Sequence, residues 1–279
     1  MSSSFSASTP FIYLTARKIC NKSTALFVAA LAISGTVNTY TIYFMPDALY
    51  FFSFWVFSWF ILGMDSSSAS TKWGIAGTPL GLTALIKPHT LCLMPASLLY
   101  SIIVLNKDIT KWEIKTYRNI VLFVAFIFIT KFLLGYILAG EAGLTLFGSF
   151  YSAAASASIN NLQYFLKLIS LSYKSFVGHF LAICLLFGLP LAATIKLTLQ
   201  SLFSQKPATP SQKISLYTSV ILLSLLPVAA VYTASVEWMI HSDSFARLHV
   251  RYYNFVFPLF IIVAASRLMV TATVDVSAA

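Results

Sequence analysis

Long apolar runs separated by short polar breaks recur along the whole chain. They lie at about 23–43, 46–64, 73–87, 89–105, 119–139, 174–198, 215–237 and 253–272. A helix needs roughly 20 mostly apolar residues to cross the hydrocarbon core of a bilayer. The pattern therefore predicts an all-α fold, a polytopic transmembrane helix bundle of about eight spans. The third run, "WGIAGTPLGLTALI", is short and carries Gly and Pro, so its length also fits a re-entrant or tilted segment. No repeat of 20–50 residues interrupts the series, and residues 1–279 read as one transmembrane domain. Polar linkers are expected at about 106–118 and 199–214, the second as the Pro/Ser/Lys stretch "QSLFSQKPATPSQK". One longer loop, at about 140–173, opens with "EAGLTLFGSFYSAAASASIN", whose small residues suit a loop or lid. Its second half places Leu162, Phe165, Leu166 and Ile169 at i, i+3, i+4 and i+7. That spacing is one apolar face of a helix, expected to lie in the membrane interface.

Composition agrees with the pattern. The chain is 58% hydrophobic and 9% charged, with a mean hydropathy of +0.83, whereas soluble domains carry about a quarter charged residues. The net charge is +10. In a membrane chain such an excess reads as cytoplasmic loops facing anionic lipid, with no nucleic acid implied. With the N-terminus cytoplasmic, the inner loops hold Arg17, Lys18, Lys22, Lys72, Lys107, Lys111, Lys115, Arg118, Lys196, Lys206, Lys213 and Arg267, twelve of the eighteen Lys and Arg. Lys87, Lys167, Lys174, Arg247 and Arg251 fall outside and Lys131 within a span, which favours this orientation. Cys20, Cys92 and Cys184 are scattered, with neither a paired framework nor metal-ligand spacing. The N-terminus lacks the basic-then-apolar order of a secretory signal. The absence of long soluble domains points to a bacterial inner membrane.

The chemically useful side chains collect on the expected outer face: Asp47, Glu141, Glu237 and Asp243 with Lys87, His89, His241, Arg247, His249 and Arg251. An ionisable group at membrane depth costs about 2.5–3.5 kcal/mol on insertion scales, so it tends to be paired or kept for function. In "RLHVRYY", Arg247 and Arg251 share a face on a helix or on an extended strand. Two guanidiniums held together suit a phosphate, which accepts charge-assisted hydrogen bonds from both. The same stretch is also consistent with an Asp243–Arg247 surface pair, Arg251 reaching toward headgroups and the tyrosines as interfacial anchors. "TALIKPHTL" places Lys87, Pro88 and His89 between two apolar runs, as a second phosphate contact or as a tight turn with a snorkelling lysine. Asp47 follows Pro46 at a helix start, where a carboxylate meets the positive end of the helix. Lys131 lies inside a span, where burial against an acid is expected, although the sequence names no partner. No GxSxG, Walker A, HExxH or GxGxxG-after-strand motif occurs.

The order of three stretches is similar to a known class. "ARKICNKSTALFVAALAISGTVNTYTIYFMPDALYFFSFWVFSWFILG" is followed by "WGIAGTPLGLTALIKPHTLCLMPA" and much later by "HVRYYNFVFPLFIIVAAS". This resembles the GT-C integral-membrane glycosyltransferases that use a polyprenyl-phosphate sugar, among them the dolichyl-phosphate-mannose protein mannosyltransferases and the bacterial aminoarabinose transferases. Lys87 matches the lysine of the class's K-P turn. Arg251 and Tyr252 match its late R-Y, and Asp47 stands where the class more often has Glu. The resemblance implies a polyprenyl-phosphate-linked sugar as donor, held through its phosphate by Lys87, Arg251 and Tyr252, to which the residue pattern itself adds Arg247, with His89 and His249 as secondary contacts. It implies transfer to a glycan, lipid or protein acceptor on the outer face; for that chemistry Asp47 or Glu141 is the candidate catalytic base and the 140–173 loop the candidate cover. Some members of the class use a divalent cation. The chain departs from the class in having only about 20 residues, without Asp or Glu, before the first matching stretch, where the class carries an extra span and an acid-bearing first loop. That departure keeps two alternatives in view, a carrier or flippase for lipid-linked saccharides and a non-catalytic membrane subunit.

Overall fold

The computed structural model describes residues 5–34, 47–65, 68–105, 114–146, 162–204, 206–240 and 253–277. Over these residues the protein is all-α. Helix α1 (Thr9–Ala16) turns at Arg17–Cys20 into α2 (Lys22–Ser34). Asn21 caps α2, its side-chain oxygen accepting the Thr24 N–H at 2.8 Å. Helix α3 (Asp47–Ile61) is followed by α4 (Ser70–Ile86), a 3-10 turn (Pro88–Cys92) and α5 (Leu93–Leu105). Helix α6 (Ile114–Ala139) ends in a second 3-10 turn (Gly140–Leu144). Helices α7 (Leu162–Phe203), α8 (Pro210–Ile240) and α9 (Phe257–Ser277) complete the series.

Three helical stretches are long and apolar enough to cross a membrane: Ile114–Leu144, Phe165–Phe203 and Pro210–Ser235. The segments Lys22–Ser34, Asp47–Ile61, Thr90–Val104 and Phe257–Met269 are apolar but shorter. The chain is thus an integral membrane protein with three long candidate spans among the described residues, where the hydrophobic pattern predicts eight passages. Each apolar run of the sequence contains a helix among the described residues, and residues 35–43 of the first run lie outside them.

Burial ranks the helices. The apolar window of α8 is 67% buried within the protein, against 28% for α6 and 17% for α7. Helix α8 is therefore a central strut, while α6 and α7 are peripheral and turn residues such as Leu133, Leu185 and Leu189 outward. Helix α3, "DALYFFSFWVFSWFI", is central for its aromatic content: Phe51, Phe54, Trp55 and Phe57 are fully buried. Ser58 and Tyr217 join α3 to α8 through a 2.9 Å hydrogen bond, and Tyr100 of α5 meets the Tyr217 ring edge-on.

The Gly/Pro-bearing third run forms one unbroken helix, α4, of 17 residues with Pro79 inside it. The Thr83 hydroxyl donates back to the Pro79 carbonyl one turn earlier, at 2.6 Å. At 1.5 Å per residue, α4 is about 25 Å long. Its glycines explain its packing. A Cβ on Gly81 would lie 2.6 Å from the Ile127 carbonyl oxygen, and one on Gly77 would press on the Phe123 carbonyl. Only glycine lets the α4 and α6 backbones approach this closely, as expected where lipid removes the hydrophobic drive between helices.

Two expectations change. The helix at 162–169 is no separate element, because it continues without a break up to the kink at Phe187, where the two helical segments that make up α7 meet. Phe165, Leu166 and Ile169 remain exposed along it. Helix α7 departs from helical geometry at Phe187 (φ −128°, ψ 27°), three residues before Pro190. The linkers are also shorter than 106–118 and 199–214, because α6 starts at Ile114, α7 runs to Phe203 and α8 starts at Pro210.

Candidate functional site

The start of α3 and the end of α4 meet at one end of the bundle. Asp47 opens α3, where the helix dipole favours its carboxylate. Lys87 closes α4: its backbone is extended (φ −140°, ψ 111°), yet its N–H still bonds the Thr83 carbonyl at 3.1 Å. Pro88 disfavours helical geometry at Lys87 and opens the 3-10 turn, so the lysine side chain leaves the helix at its end. Lys87 Nζ donates to Asp47 Oδ1, forming an ion pair across 40 residues of sequence. Each side chain is 16% exposed, so the pair is mostly withdrawn from solvent.

Tyr50, one turn into α3, forms a wall of this site. Lys87 Nζ stands 5.2 Å from the centroid of its ring, a cation–π contact. The Tyr50 hydroxyl lies beside Thr90 of the 3-10 turn, and Thr90 itself donates to the Thr83 carbonyl at 3.3 Å. Sequence reading missed Tyr50. Its signal was spacing, since i+3 from Asp47 lies on the same helix face.

The segment leading into α9 packs against the same wall. Phe255 meets Tyr50 edge-on at 4.9 Å and Phe54 at 4.5 Å. Tyr253 lies 5.5 Å, ring to ring, from His179 of α7, and His179 Nε2 is 3.5 Å from Thr233 Oγ1 of α8. The chain just after the "RLHVRYY" motif is thus in contact with the residue that carries Lys87. Arg247, His249, Arg251 and Tyr252 themselves lie outside the described residues, as do His241 and Asp243. His89 falls in the 3-10 turn two residues after Lys87.

Glu141 is exposed in the turn that follows α6. That turn is tied down. Gly140 takes a left-handed φ of 59° to reverse the chain, a conformation glycine adopts without strain. Gly143 abuts the Gly135 backbone, and Leu85 of α4 lies at the same contact. Lys131, buried in α6, donates to the Thr145 carbonyl at 2.6 Å, so its partner is a backbone oxygen. The structure therefore brings Asp47 and Lys87 together and puts Glu141 near the same end of the bundle, outside the pair. Among the described residues, no three His, Cys, Asp or Glu side chains converge as a metal site.

The opposite end holds basic side chains. Arg118 Nε donates to Ser70 Oγ at 3.0 Å. In the α1–α2 turn, burial and then the charge of Lys213 push the Lys18 ammonium down to about 8.

No curated protein and no solved structure matches the chain. A family model does: that of dolichyl-phosphate-mannose-protein mannosyltransferase, over residues 5–134. The matched stretch runs from the segment before α1 into the last third of α6 and contains Asp47, Tyr50 and Lys87. Over residues 5–134, just under half of its length, the chain is therefore similar to the dolichyl-phosphate-mannose-protein mannosyltransferases, a family of membrane glycosyltransferases.

Proposed function

We propose that the protein binds a polyprenyl-phosphate-linked sugar at the Asp47–Lys87 end of the bundle and transfers the sugar to an acceptor there. The observation that carries the reading is the Lys87–Asp47 pair on the Tyr50 ring, inside the segment that matches the family. An ammonium has three donors, so Lys87 can hold Asp47 and a phosphate oxygen at once. In transfer it stabilises the charge that grows on the leaving phosphate. Arg251, Arg247 and Tyr252 add to the phosphate contacts in this reading, because residues 253–255 stand against the same wall. His89 and His249 are outer contacts. The Asp47 carboxylate, held in place by Lys87, accepts the acceptor's proton, with Glu141 as the alternative base. Any divalent cation would join the phosphate rather than replace Lys87.

In the membrane, the same reading takes eight crossings, with the short helices tilted or set in thinned bilayer. The N-terminus is then cytoplasmic and the site faces the outer side of a bacterial inner membrane. The carrier's isoprenoid chain enters sideways between helices. The part of the 140–173 segment that precedes α7 covers the site and excludes water.

The test is sugar transfer from a polyprenyl-phosphate donor by purified protein in lipid. Product that is lost in Lys87→Ala and in Arg251→Ala upholds the reading. Donor binding without product in the native protein rejects the enzyme and assigns the chain to the carrier or subunit class. The observation that favours that second reading is that Asp47 is already ion-paired with Lys87.

A further inference from the structure

Beside the phosphate site, one seam of buried polar atoms has no role so far. Ser172, Ser175 and His179 stand at i, i+3 and i+7 on α7 and so share a face. His179 on that face meets Tyr253, the residue before Asn254 in the segment leading into α9, and Thr233 of α8. Tyr253 is 1% exposed and Asn254 5%. Among the described residues, Ser172 Oγ, Ser175 Oγ, Tyr253 Oη and Asn254 Oδ1 are all buried without a hydrogen-bond partner. Buried polar atoms are rarely left unpaired, and a group of them asks for an occupant. Thr233 Oγ1 already donates to the Ala229 carbonyl at 2.8 Å. Its oxygen can therefore only accept from His179, which assigns the proton to Nε2.

The chemistry of the seam selects the occupant. Hydroxyls, an amide and an imidazole give many donors and acceptors with no fixed charge. Aromatic rings of Tyr253 and His179 supply a face against which the C–H side of a pyranose can stack. An anion is better served by Lys87 nearby. Phe255, two residues after Tyr253, touches Tyr50, the residue under Lys87. The seam thus adjoins the phosphate site through two aromatic contacts.

We propose that Ser172, Ser175, His179, Thr233, Tyr253 and Asn254 form a binding site for an uncharged, hydroxyl-rich glycosyl group, the sugar of either the donor or the acceptor. The ligand class rests on the polyprenyl-phosphate reading of the neighbouring Lys87 site, so the two are tested with separate probes. Ser175→Ala and Tyr253→Phe remove one hydroxyl each, and His179→Gln keeps a donor while removing the ring. Monodispersity and melting temperature check that each variant folds.

Three ligands are titrated against the full chain in lipid nanodiscs: methyl α-mannoside, bare polyprenyl phosphate and polyprenyl-phosphate-linked mannose. Losing one hydrogen bond in a buried site weakens the glycoside about fivefold or more. We expect that loss in Ser175→Ala and Tyr253→Phe with bare polyprenyl phosphate unaffected, and the reverse in Lys87→Met. If the linked mannose weakens along with the glycoside, the seam holds the donor's sugar; if only the glycoside weakens, it holds the acceptor's. Either result upholds the inference. Equal glycoside affinity in all variants, or none in the native protein while bare lipid binds, means the seam holds only water, and the inference fails while the phosphate reading stands. Failure of bare lipid to bind the native protein sinks the phosphate reading, and the glycoside series then decides the seam alone.

Discussion

The residue that organises the site is Lys87, and its removal separates two roles. Lys87→Met leaves the Asp47 carboxylate mostly buried without its cation. Between the limits for surface and fully buried pairs, the expected loss of stability is about 1–3 kcal/mol. The double variant Lys87→Met/Asp47→Asn restores most of that stability, because no uncompensated charge remains. It does not restore binding of polyprenyl phosphate, since the cation is gone. Thermal melts with lipid titrations check both halves, and a double variant no more stable than the single would contradict the buried-pair account. A second residue-scale prediction concerns Lys18, which burial and Lys213 hold at about 8. Its folded pKa is lower than its unfolded one, so between about 8 and its ordinary value of 10.5 the unfolded chain binds more protons. Stability therefore rises with pH through that window. The rise should be smaller in Lys18→Gln than in the native protein, measured as melting temperature from pH 7.5 to 10. At this scale the sequence was readable where position alone sets the role. Asp47 opens a helix, as Pro46 before it announced. The Lys87 turn was legible from Lys-Pro between apolar runs. The pairing of the two was not, because 40 residues separate them and only the packing of α3 on α4 closes that gap. Lys131 shows the same limit: its burial was foreseeable, but its partner is a backbone carbonyl that carries no sequence signal.

Helix α4 and its seat on α6 give the clearest element-scale test. Gly77→Ala or Gly81→Ala forces a Cβ into backbone, which cannot give way as a side-chain tip would. Overpacking of this kind costs about 1–3 kcal/mol, and because α4 ends at Lys87 it also displaces the lysine. We expect lower melting temperature together with weaker lipid binding. Gly178 of α7 is the control. A Cβ there meets nothing within 4 Å, and alanine in a helix interior is favoured over glycine by about 0.5–1 kcal/mol. Gly178→Ala should be neutral or stabilising, and a large loss there would mean that α7 has a neighbour not accounted for. Helix identity was legible at this scale, since each apolar run contains a helix among the described residues. Boundaries were less so. The i, i+3, i+4, i+7 pattern at 162–169 correctly marked a helix, but periodicity does not say whether a helix stops. The same stripe, read further as Ser172, Ser175 and His179, would have exposed the polar seam. A lone histidine in an apolar run gives no cue until its neighbours are in place.

For the whole molecule, the description rests on two chemically distinct ends. One carries Asp47, Lys87, Glu141 and the entry to α9; the other carries Lys18, Arg118 and the α7–α8 link. In a background without Cys20, Cys92 and Cys184, a membrane-impermeant thiol reagent applied to intact cells should label Glu141→Cys and spare Lys206→Cys. Both should label once the membrane is opened. Labelling of both from outside, or of Lys206→Cys alone, would overturn the assigned orientation. The tight seat of α4 on α6 also bears on how the chain is made. Helix α4 is short, carries three glycines and a proline, and leaves the ribosome before α6 exists. On its own it is a weak signal for insertion, and its close-fitting partner is translated only after α5 and the connection that follows. The site's lysine is then fixed in place by a late event of biogenesis. A chain halted after Leu105 should show α4 in mixed topology in a glycosylation-reporter assay, and extension through Ala139 should resolve it to one.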